Sequence, residues 1–383
     1  MTYIADLIKE HCPNGVEWKE LGEVCVVKTG QQINKTFIQN NLGRYPVVNS
    51  GKEPLGFVNV YNTEDDPIGI TSRGAGVGYV SWNEGKYFRG NLNYSSTIKD
   101  SNVILPKFLY YFLKNSFKAI ENLCTFEGIP ALNKSNLEML KIPIPPLKIQ
   151  EEIVQILDKF TEYVTELTAE LTLRQKQYNY FRDYLLNFDS DSSGGANNKV
   201  YQVEWKTLGE ILIKGRGTKV TAGQMKELHK DGAPIRIFAG GKTFADVDYG
   251  DIPEKDVHHE EAIIVKSRGI IDFEYYTKPF SFKNEFWSYS SDSDDVNLRY
   301  VYHYLNHNKS HFQHIAGNMQ MPQISSNDTE KYKIPLPTKT VQSRIVQVLD
   351  NFDTVCNDLN IGLPKEIELR QKQYEYFREK LLT

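Results

Sequence analysis

The chain has 383 residues, of which 40% are hydrophobic and 25% charged, and its formal net charge is −4. This length allows two or three domains with cores of their own, and the excess of acids is untypical of a protein that coats polyanions without selectivity. No run of about 18 apolar residues occurs and the N-terminus lacks an apolar signal region, so we expect a cytoplasmic chain without a membrane span. The four cysteines form no Cys-x-x-Cys motif, and we interpret them as reduced packing residues.

The first predicted elements are short strands. The motif Glu-Trp-Lys-Glu-Leu-Gly-Glu at 17–23 opens this part, and apolar runs between turn residues follow at 45–49, 56–60, 68–71 and 77–82. Such runs are typical of β-strands. The aromatic segment 108–113 predicts a core helix. The Pro-rich segment 141–146 predicts an extended strand that stops before the next helix.

A long helix is predicted over residues 151–188. Apolar residues recur about every 3.5 positions, which is typical of a helix that packs along a partner helix in a coiled coil. No Pro or Gly interrupts the segment, and at about 1.5 Å per residue the helix would extend on the order of 57 Å. The apolar seam consists of Ile153, Leu157, Phe160, Val164, Leu167, Leu171, Tyr178, Phe181, Leu185 and Phe188, interrupted only by Arg174.

The second half of the chain repeats the first. The motif at 17–23 returns at 204–210, and strands are predicted at 235–239, 262–266 and 270–276. Residues 153–158 recur at 345–350 and 173–178 recur at 369–374, so the offset grows from 192 to 196 and the second copy of the helix holds four more residues. Four added residues keep a coiled-coil seam on one face, but Pro364 should break or restart that helix.

These patterns predict an α+β fold with two mixed α/β globular domains. A pair of long antiparallel coiled-coil helices would join the domains with pseudo-two-fold symmetry. The predicted parts are a first globular domain over 1–150, a central long helix over 151–188 and a linker rich in Ser, Gly and Asn over 189–198. A second domain over 199–341 and a C-terminal long helix over 342–383 would follow. Two unlike readers at a fixed distance suit two half-sites on a duplex.

The residues that most often carry catalysis do not form a convincing set. The loop 74–78 has three glycines but not the spacing of a nucleotide-binding loop, and we interpret it as a turn. The cluster at 258–261 and the histidines between 303 and 314 lack thiolate or paired carboxylate partners, so no metal site is expected. No nucleophile lies beside a base in any recognised motif. The sequence therefore favours a reader and scaffold that is not itself an enzyme.

Candidate DNA-binding residues lie in basic stretches at the same phase of both copies and in loops before the Pro-rich strands. Arg forks bidentately onto guanine or phosphate, and Asn or Gln can read adenine. The alternative roles are solvated faces, salt bridges that close turns, and turn caps. The candidates are Lys28, Lys35, Arg44, Lys52, Arg73, Asn133, Lys134, Lys214, Arg216, Lys219, Lys242, Arg268, Gln320 and Gln323.

A second set of candidates belongs to the helix pair and its protein partners. The motif Leu-Arg-Gln-Lys-Gln-Tyr occurs in both long helices, at 173–178 and 369–374, so the same partner could bind each copy. The candidates are Leu157, Phe160, Val164, Leu167, Leu171, Arg174, Tyr178, Phe181, Leu349, Phe352, Arg370, Tyr374 and Phe377.

The two unlike globular copies, the two similar helices and the Lys-Ile-Pro-x-Pro entry into each helix together resemble the specificity subunits of type I restriction-modification enzymes, over essentially the whole chain. The resemblance implies that each globular domain reads one half of a split target in double-stranded DNA. It also implies that the helices set the spacer and dock two methyltransferase (modification) subunits, which restriction/translocase subunits then join. S-adenosylmethionine, ATP and Mg²⁺ would belong to those partners, and this chain would hold no cofactor.

Two other classes remain open on the sequence alone. One is a coiled-coil scaffold that binds proteins and no DNA. The other is the recognition part of a self-contained restriction or methylation enzyme, which would need a catalytic motif or cofactor loop. Binding of S-adenosylmethionine by the chain alone would favour the second class, and sequence-selective retardation of duplex DNA would exclude the first.

Overall fold

The computed structural model describes residues 2–188, 203–317 and 321–382. The predicted linker 189–198 and the candidate Gln320 lie outside these residues. The chain divides into two compact units. Unit 1 comprises Met1–Thr168 and Glu366–Thr383, and unit 2 comprises Ala169–Lys365.

Unit 1 contains most of the strands that the sequence predicts, at nearly the predicted bounds. Its helices are α1 (Thr2–His11), α2 (Leu21–Val24), α3 (Lys35–Asn40), α4 (Pro106–Asn115), α5 (Phe117–Glu121), α6 (Lys134–Glu138) and the start of α7 (Leu147–Leu185). Its strands are β1 (Glu17–Glu20), β2 (Cys25–Thr29), β3 (Leu42–Val48), β4 (Phe57–Val58), β5 (Thr63–Glu64), β6 (Ile68–Thr71), β7 (Val80–Trp82), β8 (Lys86–Arg89), β9 (Asn93–Ile98), β10 (Cys124–Thr125), β11 (Ala131–Leu132) and β12 (Lys141–Ile144).

Two four-stranded sheets form the centre of unit 1, with the strand orders β2-β9-β6-β7 and β4-β3-β8-β5. In the second sheet β8 runs parallel to β3, with Val47 opposite Phe88. The predicted aromatic helix is α4, which buries Phe108, Leu109 and Phe112 against the first sheet and the start of α7. The apolar face of α4 therefore ties the globular part of this unit to the long helix.

Unit 2 repeats this order of elements. Its helices are α8 (Leu208–Ile211), α9 (Ala222–Leu228), α10 (Leu298–His307), α11 (Lys309–Ala316), α12 (Ser326–Glu330), α13 (Lys339–Asn357) and the start of α14 (Leu363–Leu382). Its strands are β13 (Glu204–Thr207), β14 (Ile213–Arg216), β15 (Ile235–Phe238), β16 (Phe244–Val247), β17 (Ala262–Lys266), β18 (Asp272–Tyr276), β19 (Phe280–Phe282), β20 (Trp287–Ser290) and β21 (Lys333–Leu336).

The sheets of unit 2 match those of unit 1, except that the second sheet has three strands and no counterpart of β5 among the described residues. One has the order β14-β20-β17-β18 and the other the order β16-β15-β19. Again one strand, β19, runs parallel to its neighbour, with Ile237 opposite Ser281. The helix α10 buries Tyr300, Val301 and Leu305 against the first sheet and α13. The duplication read from the sequence is thus a duplication of the fold.

The repeated Trp-Lys-x-Leu-Gly-Glu motif forms the same local structure in both units. In unit 2, β13 pairs with the Pro-rich strand β21, and Trp205 lies opposite Pro335. A proline is tolerated there because the sheet has only two strands and needs no second partner. The turn of α8 follows at once, and Glu210 reaches back to accept a hydrogen bond from the Thr207 backbone N–H at 2.6 Å, which completes a capping box.

A buried glutamine fixes the start of each long helix to its unit. Gln150 is fully buried, and its side chain accepts from the Leu105 N–H at 2.8 Å and donates to the carbonyl oxygens of Val103 and Pro145 at 2.9 and 2.8 Å. In unit 2, Gln342 accepts in the same way from the Asn297 N–H at 2.8 Å. Each glutamine thus joins the first turn of the helix to the loop before the aromatic helix.

The central helix α7 is longer at its start than predicted and shorter at its end, since it covers Leu147–Leu185 instead of 151–188. The C-terminal helical segment, predicted over 342–383, begins at Lys339 and is interrupted near Pro364, as the proline predicts. It consists of two helices, α13 and α14, which residues 358–362 separate. The break lies beside the four-residue insertion, and Pro364 stands in the first turn of α14, where a missing N–H is harmless.

The two predicted seams meet within each unit. In unit 1, the ring of Phe160 on α7 stacks on Phe377 of α14 with the ring centroids 5.0 Å apart. In unit 2, Phe181 of α7 stacks on Phe352 of α13 at 5.5 Å, and Tyr178 contacts the same ring at 6.2 Å. As the residue number on α7 increases from 160 to 181, the number of the contacting residue on the C-terminal helices decreases from 377 to 352. This is the antiparallel order that the sequence predicts.

The other seam candidates differ in how deeply they are buried. Leu157 and Leu349 are fully buried, whereas Val164, Leu167, Leu171 and Tyr374 are half-buried. Burial raises the pKa of Tyr178 to about 12, so its hydroxyl stays neutral in the seam. Two arginines stand at seam positions where an apolar residue is expected. Each forms an ion pair within its own helix, Arg174 with Glu170 at 2.7 Å and Arg370 with Glu366 at 2.8 Å.

Candidate functional site

The Ser-Arg-Gly segment of unit 1 pairs with the Pro-containing loop that precedes α6. The Gly74 N–H donates to the Pro130 carbonyl at 2.9 Å, and the Leu132 N–H donates to the Ser72 carbonyl at 2.8 Å. Arg73 lies between these bonds, opposite Ala131 in a β-bridge. The backbone of the arginine is therefore fixed while its side chain is exposed.

Unit 2 builds the same arrangement. The Gly269 N–H donates to the Pro322 carbonyl at 2.8 Å, and the Ile324 N–H donates to the Ser267 carbonyl at 3.0 Å. Arg268 lies opposite Gln323 in the equivalent β-bridge. Gly74 and Gly269 both have positive φ, at 99° and 79°, which glycine adopts without strain.

A third loop, containing a Gly-Lys pair, adjoins the Ser-Arg-Gly segment in each unit. In unit 1 the ammonium of Lys52 lies 5.7 Å from the ring centroid of Tyr79, in the turn after Arg73. In unit 2 the loop is held by Lys266, whose ammonium donates to the Gly241 carbonyl at 2.7 Å. We call the three loops together the loop surface. It comprises 50–53, 72–75 and 129–133 in unit 1, and 240–243, 267–270 and 321–324 in unit 2.

The loop surface holds four exposed cations and a single acid, Glu53. Arg73, Lys52 and Lys242 are exposed and form no ion pair with any described residue. Arg268 is exposed too, and its Nε donates a hydrogen bond to the Met321 sulfur at 2.8 Å. Unpaired exposed cations on a fixed backbone form a surface that attracts anions such as phosphate.

The remaining candidates of unit 1 lie on or near other elements. Lys28 is in β2, Lys35 begins α3, and Arg44 in β3 lies over the Tyr45 ring at 5.1 Å. Asn133 closes the Pro-containing loop of the loop surface and precedes α6. The next residue, Lys134, pairs with Glu138 at 3.6 Å, so its charge is partly compensated.

The remaining candidates of unit 2 differ in whether an acidic side chain pairs with them. Lys214 in β14 is ion-paired with Glu330 and donates to Ser326 Oγ at 3.0 Å. The hydrogen bond from Lys214 lowers the pKa of the Glu330 carboxyl, so this carboxyl is ionised at neutral pH. Lys214 is therefore a weaker candidate for DNA contact. Arg216 and Lys219 are exposed at the edge of the same sheet and after it.

His258 and His303, one from each histidine cluster of the sequence, pack and form hydrogen bonds within unit 2. His258 stacks on Phe280 and Phe282 with centroids 5.0 and 5.4 Å apart, and its Nε2 donates to the Arg216 carbonyl at 2.9 Å. His303 bonds to Asp350 on α13 at 2.7 Å, and burial lowers its pKa. Within the described residues no group of His, Cys, Asp and Glu is arranged to hold a metal ion, and the four cysteines are free thiols.

A polar cavity of about 350 Å³ lies beside Lys28, but the side chains that line it do not indicate a binding site. Its most buried cation, Arg89, already donates to Asp66, Asn93 and the carbonyl of Ile68, among other partners. In unit 2 the place of this arginine is taken by the apolar Phe282, since each residue stands beside the parallel strand at the same register. The cavity is a difference between the units, whereas the loop surface is common to both.

Sequence reasoning found the arginines and lysines of the loop surface but missed the exposed apolar residues between them. Ile129 is 62% exposed, Met321 53% and Ile270 69%. They flank the repeated prolines and the Ser-Arg-Gly segments. The signal that could have found them was the contrast between shared and unlike positions once the two copies are aligned.

Comparisons with known proteins agree with this duplicated architecture. The family model of the type I restriction modification DNA specificity domain matches twice, at residues 13–174 and 202–369. The specificity subunit of the type I restriction enzyme EcoR124I/EcoR124II of Escherichia coli is 33% identical, over 96% of this chain and 94% of that subunit. A putative type I restriction enzyme specificity subunit of Haemophilus influenzae is 30% identical, over 96% and 95% of the two chains.

Solved structures show the same fold. The crystal structure of a type I restriction-modification S subunit from M. genitalium has a TM-score of 0.70 at 20% identity, over 97% of both chains. A chain from a study of complex assembly and conformational transition of the type I restriction-modification system has a TM-score of 0.54 at 15% identity, over 97% and 98% of the two chains.

Two copies of one fold, each with the same cationic loop surface, define a protein with two recognition modules. The chain belongs to the type I restriction-modification DNA specificity family, because the family model covers most of its length. It is a specificity subunit, the recognition component of a type I system and not its catalytic one. None of the helices in the described part of the chain has the length and apolar character that a bilayer crossing requires.

Proposed function

We propose that each unit reads one half of a bipartite DNA target through its loop surface. The observation that carries this proposal is the repetition of the loop surface, once per unit, with exposed and unpaired cations in both copies. Exposed cations on a fixed backbone suit the phosphates of a duplex. The residues that differ between the copies supply the different preferences of the two halves.

We assign the two readers to residues 1–150 and 199–341, and the connection to the helices at 151–188 and 342–383 with the linker 189–198. The seams at Phe160–Phe377 and Phe181–Phe352 support helices that set the distance between the half-sites. Lys52, Arg73 and Asn133 in the first reader, and Lys242, Arg268 and Gln323 in the second, are the candidates that lie on the loop surfaces.

The partners follow from the same proposal. Two methyltransferase (modification) subunits bind the repeated helices, and restriction/translocase subunits complete the complex. S-adenosylmethionine, ATP and Mg²⁺ act in those partners, while this chain contributes recognition. Its place of action is the cytoplasm, where the DNA and the partners are.

Methylome sequencing of cells with and without this gene, in the presence of the modification subunit, tests the proposal. Cells that carry the gene should methylate one motif made of two short sequences separated by unspecified bases, and cells without it should lack that motif. A continuous motif, or no gene-dependent methylation at all, would contradict the proposal. The second outcome would favour a scaffold that binds no DNA.

A further inference from the structure

We infer that the residues shared by the two loop surfaces hold the DNA backbone, whereas the unlike residues between them read the bases. The inference rests on the proposed function, since it requires each unit to face one half-site. One chain carries two copies of the same surface. Residues at matching positions of the two copies can therefore be compared directly.

The two shared arginines stand in the same backbone setting. Arg73 and Arg268 each lie in a β-bridge to the residue after the repeated proline. The flanking hydrogen bonds agree within a few tenths of an ångström, at 2.9 and 2.8 Å in unit 1 against 2.8 and 3.0 Å in unit 2. The Gly-Lys loop with Lys52 or Lys242 follows the matching strands β3 and β15.

A side chain that is identical in both readers and identically placed does not account for two different half-sequences. It does suit what both half-sites share, which is the phosphate backbone. Arg and Lys at exposed positions make charge-assisted hydrogen bonds to phosphate oxygens, and such contacts fix register without reading sequence. The two arginines and two lysines are therefore assigned to phosphates.

The unlike positions occur between these cations. Next to each Ser-Arg-Gly segment stands Ala75 in unit 1 and Ile270 in unit 2. Before the repeated proline stand Ile129 and Met321, and after it stand Ala131 and Gln323. This set contains both exposed apolar side chains, which can contact the thymine methyl group, and one amide, which can bind adenine bidentately.

Exposure supports this division of roles. Ile270, Ile129 and Met321 are 69%, 62% and 53% exposed, respectively. Exposure of apolar side chains to water is unfavourable in free energy. Burial against base edges in a groove would remove that apolar surface from water. A scattered exposed Leu needs no such explanation, but here Ile129 and Met321 fall at matching positions in the two units, and Ile270 lies beside the shared Arg268.

The complex of this chain with its modification subunits allows a direct test. Arg268→Ala should weaken binding to matched and mismatched duplexes by the same factor, and should lower the slope of log K against log salt by about 0.9, the value for one phosphate. Lys52→Ala should do the same through unit 1. Arg268→Lys should keep the methylated motif, because a phosphate contact needs only the charge whereas bidentate guanine recognition needs the guanidinium fork.

Gln323→Ala is the matched variant at an unlike position. It should relax base preference in one half of the motif and leave the salt slope unchanged. A motif altered in one half by Arg268→Lys, or an Arg268→Ala variant that loses affinity for matched duplexes only, would overturn the inference while leaving the proposed function intact. If Arg268→Ala does not assemble, Arg268→Lys decides. A wild-type complex without a bipartite motif would instead refute the proposed function.

Discussion

The two buried glutamines show how a single side chain can position an element. Gln150 satisfies one backbone N–H and two carbonyl groups that would otherwise be buried without partners. Because unpaired buried polar groups are destabilising by roughly 1–3 kcal/mol each, this residue holds the start of α7 against the loop before α4. Gln342 has the same contacts at the start of α13.

We expect Gln150→Leu to loosen that loop in unit 1 alone. Without the glutamine oxygen, the Leu105 amide loses its acceptor, and its hydrogen exchange should become at least tenfold faster. The Asn297 amide, which donates to Gln342, serves as an internal control and should not change. Gln155→Leu, at an exposed position of the same helix, is the matched variant. Equal exchange at Leu105 in both variants would show that Gln150 does not fix the loop.

At the scale of elements, the long helices carry a repeated exposed face. Leu173 and Tyr180 on α7 are 51% and 63% exposed, and Leu369 and Tyr376 on α14 are 44% and 47% exposed. Each pair is spaced by seven residues, so its members lie on one side of the helix. The same exposed pair in both copies of the helix suits two copies of one protein partner, the modification subunit of the proposed complex.

Tyr180→Ser and Tyr376→Ser should therefore each remove one modification subunit, and the double variant should remove both. Mass photometry of the assembled complex measures the number of bound subunits. Tyr163→Ser is the control, because Tyr163 is 43% exposed on the same helix but the second copy has Val355 at that position. Loss of both subunits from either single variant would contradict two separate docking faces.

The helix α7 also offers a test of spacing. Duplicating Thr168-Ala-Glu-Leu171 lengthens the helix by roughly 6 Å and turns it by about 40° beyond a full turn. The rise alone corresponds to nearly two base pairs at about 3.4 Å each, but the rotation is close to one step of a duplex with about 10.5 pairs per turn. Groove phase must be met for base contact, so the unspecified gap should widen by about one base pair.

Methylome sequencing of the insertion variant measures that gap. The same four residues inserted into the predicted linker 189–198 are the control and should leave the gap unchanged. Both half-sequences should stay as in the wild type. If the helix insertion left the gap unchanged, or changed the half-sequences themselves, the helices would not set the distance.

At the scale of the whole molecule, periodicity and internal repetition predicted more than residue chemistry did. The strands, the aromatic helices and the seam contacts follow from patterns that run over many residues, and the break near Pro364 follows from backbone restriction. The predicted start of α7 was four residues late, because Leu147–Gln150 carries no helix-start signal apart from the preceding prolines. The loop surface was predicted only in part. Its apolar residues do not stand out in the sequence, because their exposure and their position beside the cations depend on the fold.

The central claim is that each unit reads its own half of the target. A transplant of the unlike residues of unit 2 into unit 1, Ala75→Ile with Ile129→Met and Ala131→Gln, tests it most directly. In cells with the modification subunit, methylome sequencing of this variant should give a motif in which one half is changed while the other half and the gap are those of the wild type. A change in both halves would contradict the claim, whereas methylation of the wild-type motif without any change would contradict the assignment of these three positions to base reading.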